Sequence, residues 1–167
     1  MKLKKMLALL LSLMMVLSFV ACGEAAEPTP AEDPAPVEQT PEEADYTQLL
    51  TYIQAVETHR ESMATVVEMK EGVLDGSVTK EDAIAAYKAL AEESAVLYTG
   101  FGEAQWQTET YSEQVETLLN ALDALSLAEA SLYQANVDDD MELAQAADAE
   151  VTIFNDQMDA LYTSLGV

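Results

Sequence analysis

The chain predicts an all-α fold: an antiparallel up-down bundle of four helices, standing behind an acidic, proline-rich stalk. Three observations carry this. All five prolines (Pro28, Pro30, Pro34, Pro36 and Pro41) precede Tyr46. The 122 residues from Tyr46 onward are rich in Ala, Leu, Glu, Gln and Met, the strong helix formers. Apolar residues there recur at intervals of three and four rather than alternately, which is the period of a helix and not of a strand. That length suits one domain with one core. Short connections between the helices favour antiparallel neighbours. A three-helix core with one detached helix is the architectural alternative.

The first helix is expected over Asp45 to Leu74, with Leu49, Ile53, Val56, Arg60, Met63, Val67, Lys70 and Leu74 along one seam. Gly76 can take the left-handed conformation that ends it. Thr79 caps the second helix, and Asp82 three residues on makes a relaxed capping box with acids in the first turn. Its seam is Ile84, Tyr87, Ala91, Ser94 and Tyr98, flanked by Leu90 and Leu97, and Gly100-Phe101-Gly102 is expected to break it. The third helix starts somewhere between Glu103 and Ser112 and carries Tyr111, Val115, Leu118, Leu122, Leu125 and Leu132. Asn136 to Asp140 reads as a turn whose acids suit a helix N-terminus. The fourth helix has the cleanest seam, Ala144, Ala147, Val151, Phe154, Met158, Leu161 and Leu165.

What precedes the bundle is of another kind. Lys2, Lys4 and Lys5 give a positive start, and Met6 to Val20 is apolar except for Ser12 and Ser18. A membrane-spanning helix needs roughly 20 apolar residues, so this shorter run fits a cleaved export segment. It ends at Phe19-Val20-Ala21-Cys22-Gly23, and Cys22 is the only cysteine of the chain. These residues resemble the lipobox of bacterial lipoproteins, although Phe19 stands where that family usually has Leu. The resemblance implies cleavage before Cys22 and a diacylglyceryl group on its thiol. Localisation at the extracytoplasmic face of the cell membrane, with the membrane itself as a partner through the lipid, follows from it. A two-chain lipid gives stable anchoring, and the mature chain would keep no free thiol.

Residues 24–45 then read as a disordered linker. They hold every proline, eight acids and one larger aliphatic residue, Val37, too little apolar surface to offset chain entropy. Drawn out as polyproline II, they would reach about 70 Å. The organisation expected is thus a signal peptide over 1–21, lipidated Cys22 and linker over 22–45, and a bundle over 46–167.

The chain has 31 acids against seven Lys and Arg, a formal charge of −24. Three of the bases lie in the leader and eight of the acids in the linker, so the bundle carries 23 acids against four bases, or −19. Nucleic-acid binding depends on a basic footprint and is excluded as an expectation. Acidic lipid surfaces would repel such a domain, and so would its own copies, which predicts a monomer.

Candidate sites follow from the residues that interrupt these patterns. Arg60 and Lys70 sit on an apolar seam, where their stems would cover the core edge or their heads would hold an anionic ligand. Phe101, Trp106 and Tyr111 gather around the Gly100–Gly102 break, as loop pins or as an aromatic contact surface. Asp138, Asp139, Asp140 and Glu142 form the densest acid cluster. They lack the alternating ligands and the glycine of a calcium loop, so helix capping is expected, with weak cation binding as the alternative. His59, the only histidine, has no metal-ligating neighbour at helical spacing and is expected at the surface or an edge. Neither a nucleophile elbow nor a phosphate-binding loop occurs, so no enzymatic activity, cofactor or metal is expected. The expectation is an envelope lipoprotein whose acidic bundle makes protein contacts. The alternatives are an interhelical pocket for a peptide, small molecule or cation, or an acidic surface that buffers cations.

Overall fold

A computed structural model describes residues 39–166. The leader, Cys22 and the linker up to residue 38 lie outside the described residues. Four helices follow in order: α1 (Pro41–Asp75), α2 (Lys80–Gly102), α3 (Ser112–Asp138) and α4 (Met141–Leu165). Each packs on the next, and residues from all four meet in one core, so the four-helix bundle is what the chain forms.

The helix ends follow from local chemistry. Thr40 caps α1 through a full capping box, its hydroxyl accepting from the Glu43 N–H at 3.2 Å while the Thr40 N–H donates to Glu43 at 2.9 Å. Pro41 occupies the first helical position, where its missing N–H costs nothing. The helix therefore opens before Asp45, and 41–45 belong to it rather than to the linker. Gly76 closes α1 at φ 81°, left-handed backbone that glycine adopts without a Cβ penalty. Thr79 caps α2 as expected, accepting from the Asp82 N–H at 3.1 Å. Between α3 and α4 only two residues intervene. Asp139 turns the chain at φ 54°, and Asp140 caps α4 by accepting from the N–H groups of Glu142 and Leu143 at 2.9 and 3.1 Å.

Antiparallel register is visible in cross-helix contacts. Tyr52 donates to the Gly100 carbonyl at 2.9 Å, near the start of α1 and the end of α2, while Val78 donates to the Gly72 carbonyl where the two helices join. Lys80, opening α2, meets Asp139 beyond the end of α3 at 2.6 Å. The main core holds Leu49, Ile53 and Val56 of α1, Phe101 of α2, Leu118, Leu122 and Leu125 of α3, and Phe154, Met158 and Leu161 of α4. A smaller cluster forms around Val66, Tyr87 and Leu90.

Two departures from the expected pattern matter. The first is that α2 takes in Gly100 and Phe101 before it ends at Gly102, within the segment expected to break it, so that Phe101 is only 1% exposed. A glycine in a helix costs about 1 kcal/mol relative to Ala, whereas burying a Phe side chain returns about 2–3 kcal/mol. The second departure is in α1, whose buried face passes through His59 and Val66 instead of Arg60 and Val67. Val67 is 60% and Leu74 84% exposed, and Lys70 points to solvent. Adjacent residues differ by about 100° around a helix, so a shift of one residue moves a side chain off the core.

Candidate functional site

The interrupted seam of α1 leads to a buried polar layer. His59 is 4% exposed and lies along α1 between Val56 of the main core and Val66 of the smaller cluster. Its Nε2 donates to both carboxylate oxygens of Glu129 on α3 at 2.9 Å, and Glu129 is itself 1% exposed. Nδ1 faces Glu93 of α2 at 3.3 Å, a carboxylate whose other side is open to water. Burial pushes the His59 pKa down, but the hydrogen bond and charge of Glu129, and then those of Glu93, outweigh it and leave the pKa above 6.5. Both ring nitrogens thus face carboxylates, an environment that favours the imidazolium, and the ring ties three helices together.

This layer corrects the expectation of a surface histidine. A signal for it existed in the sequence. Leu118, Leu122, Leu125 and Leu132 advance by four, three and seven, and the missing step of the seam is Glu129. An acid on an apolar seam of one helix and a histidine on an apolar face of another are each unfavourable alone and compatible together.

Arg60 lies one position around from His59, at the α1–α4 boundary. It donates to Glu57 at 3.1 Å and to Asn155 at 3.5 Å, and its guanidinium stands 5.6 Å from the centre of the Phe154 ring. Tyr162 also donates to Glu57, and burial, followed by that carboxylate, holds its phenol well above the ordinary range. Arg60 thus covers the core edge with each of its two terminal nitrogens engaged. Arg60 and Lys70 are not brought together around a cavity.

The aromatic residues do gather, at the end of the bundle where α1 and α3 begin and α2 ends. Phe101 packs edge-on to Tyr52 at 4.8 Å and to Trp106 at 5.6 Å, and Tyr46 stacks obliquely on Tyr111 at 5.4 Å. The connection over residues 103–111 is held by buried Asp45, which accepts from the Gln107 N–H at 2.9 Å, the Thr108 N–H at 2.8 Å and the Thr108 hydroxyl at 2.7 Å. The Gln107 bond is the main reason its carboxyl lies below the ordinary aspartate range, with the Thr108 bonds adding to it against the cost of burial. Between this connection and α3 lies a hollow of about 290 Å³, floored by Trp106, Tyr111, Val115 and Leu119 and edged by Asp45, Thr108, Glu109, Ser112 and Glu116. A second, more open groove of about 600 Å³ runs between α1 and α2 past His59, Ser62, Ala89, Glu92 and Glu93.

The acid cluster at the α3–α4 turn is engaged locally. Asp138 accepts from Gln134 at 2.6 Å, Asp139 from Lys80, and Asp140 caps α4. Among the described residues no group of three or more His, Cys, Asp or Glu is arranged to hold a metal ion. Among them, too, no helix is long and apolar enough to cross a membrane. No protein-family model, curated protein or solved structure matches the chain.

Proposed function

We propose that this protein is a lipid-anchored component of the cell envelope, held at the extracytoplasmic face through Cys22, whose acidic bundle makes contacts with other proteins rather than catalysing a reaction. The observation that carries the reading is the apolar run ending at Ala21-Cys22-Gly23, followed at once by a proline- and acid-rich segment. With α1 opening at Pro41, that segment spans residues 24–40. The bundle supports the reading through its surface. Its acids greatly outnumber its bases, which favours standing off from anionic lipid and meeting a partner of opposite charge. The buried histidine supports it too, since both ring nitrogens are engaged in packing helices together.

Metabolic labelling with an alkyne fatty acid, combined with membrane fractionation, tests the anchor. Labelled protein in the membrane fraction is expected, and Cys22→Ala should lose both label and membrane association. A Cys22→Ala protein that stays on the membrane refutes the anchor. Crosslinking in intact cells followed by capture of the bundle tests the contact role, and consistent recovery of no envelope protein refutes it. The hollow beside Trp106 supports a second reading, a pocket for a small ligand. A thermal-shift screen of peptides, sugars, metals and small acids decides it, and the absence of any stabilising compound removes it.

A further inference from the structure

The hollow beside Trp106, at the end of the bundle where α1 and α3 begin, combines two properties. Its floor is apolar and partly aromatic: Trp106, Tyr111, Val115 and Leu119 are each left half-buried there. Glu109 and Glu116, both exposed, also line it. Neither carboxylate has a cationic partner among the described residues.

None can come from nearby in the chain, because no Lys or Arg occurs over residues 39–59 or 89–166. The four bases of the bundle are placed elsewhere. Arg60 is engaged with Glu57 and Asn155, Lys80 with Asp139 and Lys88 with Glu92, while Lys70 stands near the far end of α1. An aromatic face beside uncompensated carboxylates attracts a group that is both apolar and cationic.

We infer that this hollow is a docking site for a basic segment of a partner protein, which inserts an aliphatic side chain onto the Trp106–Tyr111 floor and sets flanking Lys or Arg residues against Glu109 and Glu116. Charge complementarity selects that occupant. An acidic or neutral apolar segment would leave both carboxylates unpaired beside an apolar surface, and a second copy of this chain would bring like charge to like. The volume suits one or two side chains and not a folded element. The inference rests on the protein-contact role proposed above and identifies the face that performs it.

Trp106 is the only tryptophan and reports on the hollow directly. The intact chain, in a neutral detergent at physiological salt, is titrated with an amidated peptide of alternating Lys and Leu. Parallel titrations use the Glu–Leu counterpart and n-butylammonium. A saturable change in Trp106 emission is expected with the Lys–Leu peptide alone. Glu109→Gln with Glu116→Gln should weaken it by about threefold to tenfold, the range of two exposed ion pairs. The charge-matched pair Glu68→Gln with Glu71→Gln, on the far part of α1, should change it by less than about twofold.

Equal weakening by both pairs would mean diffuse attraction to an acidic surface and overturns the site. Binding of n-butylammonium as tight as that of the peptide overturns the protein-segment occupant in favour of a free amine. No Trp106 response to the Lys–Leu peptide refutes the hollow even if crosslinking in cells captures a partner. A Trp106 response with no partner captured refutes the envelope role alone.

Discussion

Replacing Glu129 by Leu should destabilise the bundle strongly, and replacing His59 by Leu as well should restore most of what was lost. Both side chains are almost fully enclosed and share two contacts of 2.9 Å. Removing one member of a buried ion pair costs about 3–5 kcal/mol, because the other charge stays buried without compensation. His59 can soften this by releasing its proton while keeping Glu93 on Nδ1, which places Glu129→Leu near the lower end, at about 3 kcal/mol. For a domain of this size roughly 1 kcal/mol corresponds to about 3–5 °C, so the melting temperature should fall by about 10 °C or more. His59→Leu leaves Glu129 as an isolated buried carboxylate, with no second partner, and should be at least as damaging. The double variant replaces the pair by apolar residues in a layer flanked by apolar clusters on both sides, and such replacements are often neutral or stabilising by about 1–4 kcal/mol. Thermal and urea unfolding followed by circular dichroism would give all four stabilities. The diagnostic quantity is the non-additivity of the cycle. Single variants within about 1 kcal/mol of the parent, or a double variant as unstable as the sum of the singles, would show that the layer is not a coupled pair.

The same layer sets a pH dependence. The pKa of His59 is raised in the folded state, so its contribution is fully present below 6.5 and is lost as pH rises through the folded value. The parent should therefore lose stability relative to the His59→Leu/Glu129→Leu variant on going from pH 6 into the alkaline range, and a constant difference would refute a raised pKa for His59. Asp45→Ala should lower the melting temperature and shift Trp106 emission to the red, since the connection over 103–111 loses its three anchoring bonds; unchanged emission would show that the connection is held by other means. Arg60→Met should change stability by less than about 1 kcal/mol, because the ion pair is half-exposed and Met still covers Phe154. A loss of more than about 2 kcal/mol, read by the same unfolding curves, would show that the polar head of Arg60 is structurally required. Raising sodium chloride from about 10 mM to about 500 mM should raise the melting temperature by screening the excess of acids, and indifference to salt would remove charge repulsion from the forces acting on this fold.

Much of the bundle was legible from local pattern. The α2 cap at Thr79, the end of α1 at Gly76 and the seam of α4 through Ala147, Phe154, Met158 and Leu161 appear where residue chemistry and period place them. The opening of α1 was legible but misassigned. Thr40-Pro41-Glu42-Glu43 is a complete capping box with proline at the first helical position, yet it lies inside a segment whose composition reads as linker. Phe101 went the other way. Two flanking glycines argue for a helix end locally, and α2 does end at Gly102, but that Phe101 is carried inside the last turn follows from its packing against Tyr52, Trp106 and the core.

The helical class, the number of helices and most of their ends belong to the sequence alone, because caps and periodicity act over a few residues. Which of two adjacent residues on α1 faces inward was decided by the tertiary structure. Val67 and Arg60 fit an apolar seam with a snorkelling cation as well as Val66 and His59 fit the observed one. The choice rests on Glu129, 70 residues away along the chain, which makes His59 acceptable in the core. No local rule contains that partner. The gathering of Trp106 and Tyr111 over a hollow edged by Glu109 and Glu116 was settled in the same way, by the three helix ends that meet there and by Asp45, which fixes the connection between two of them.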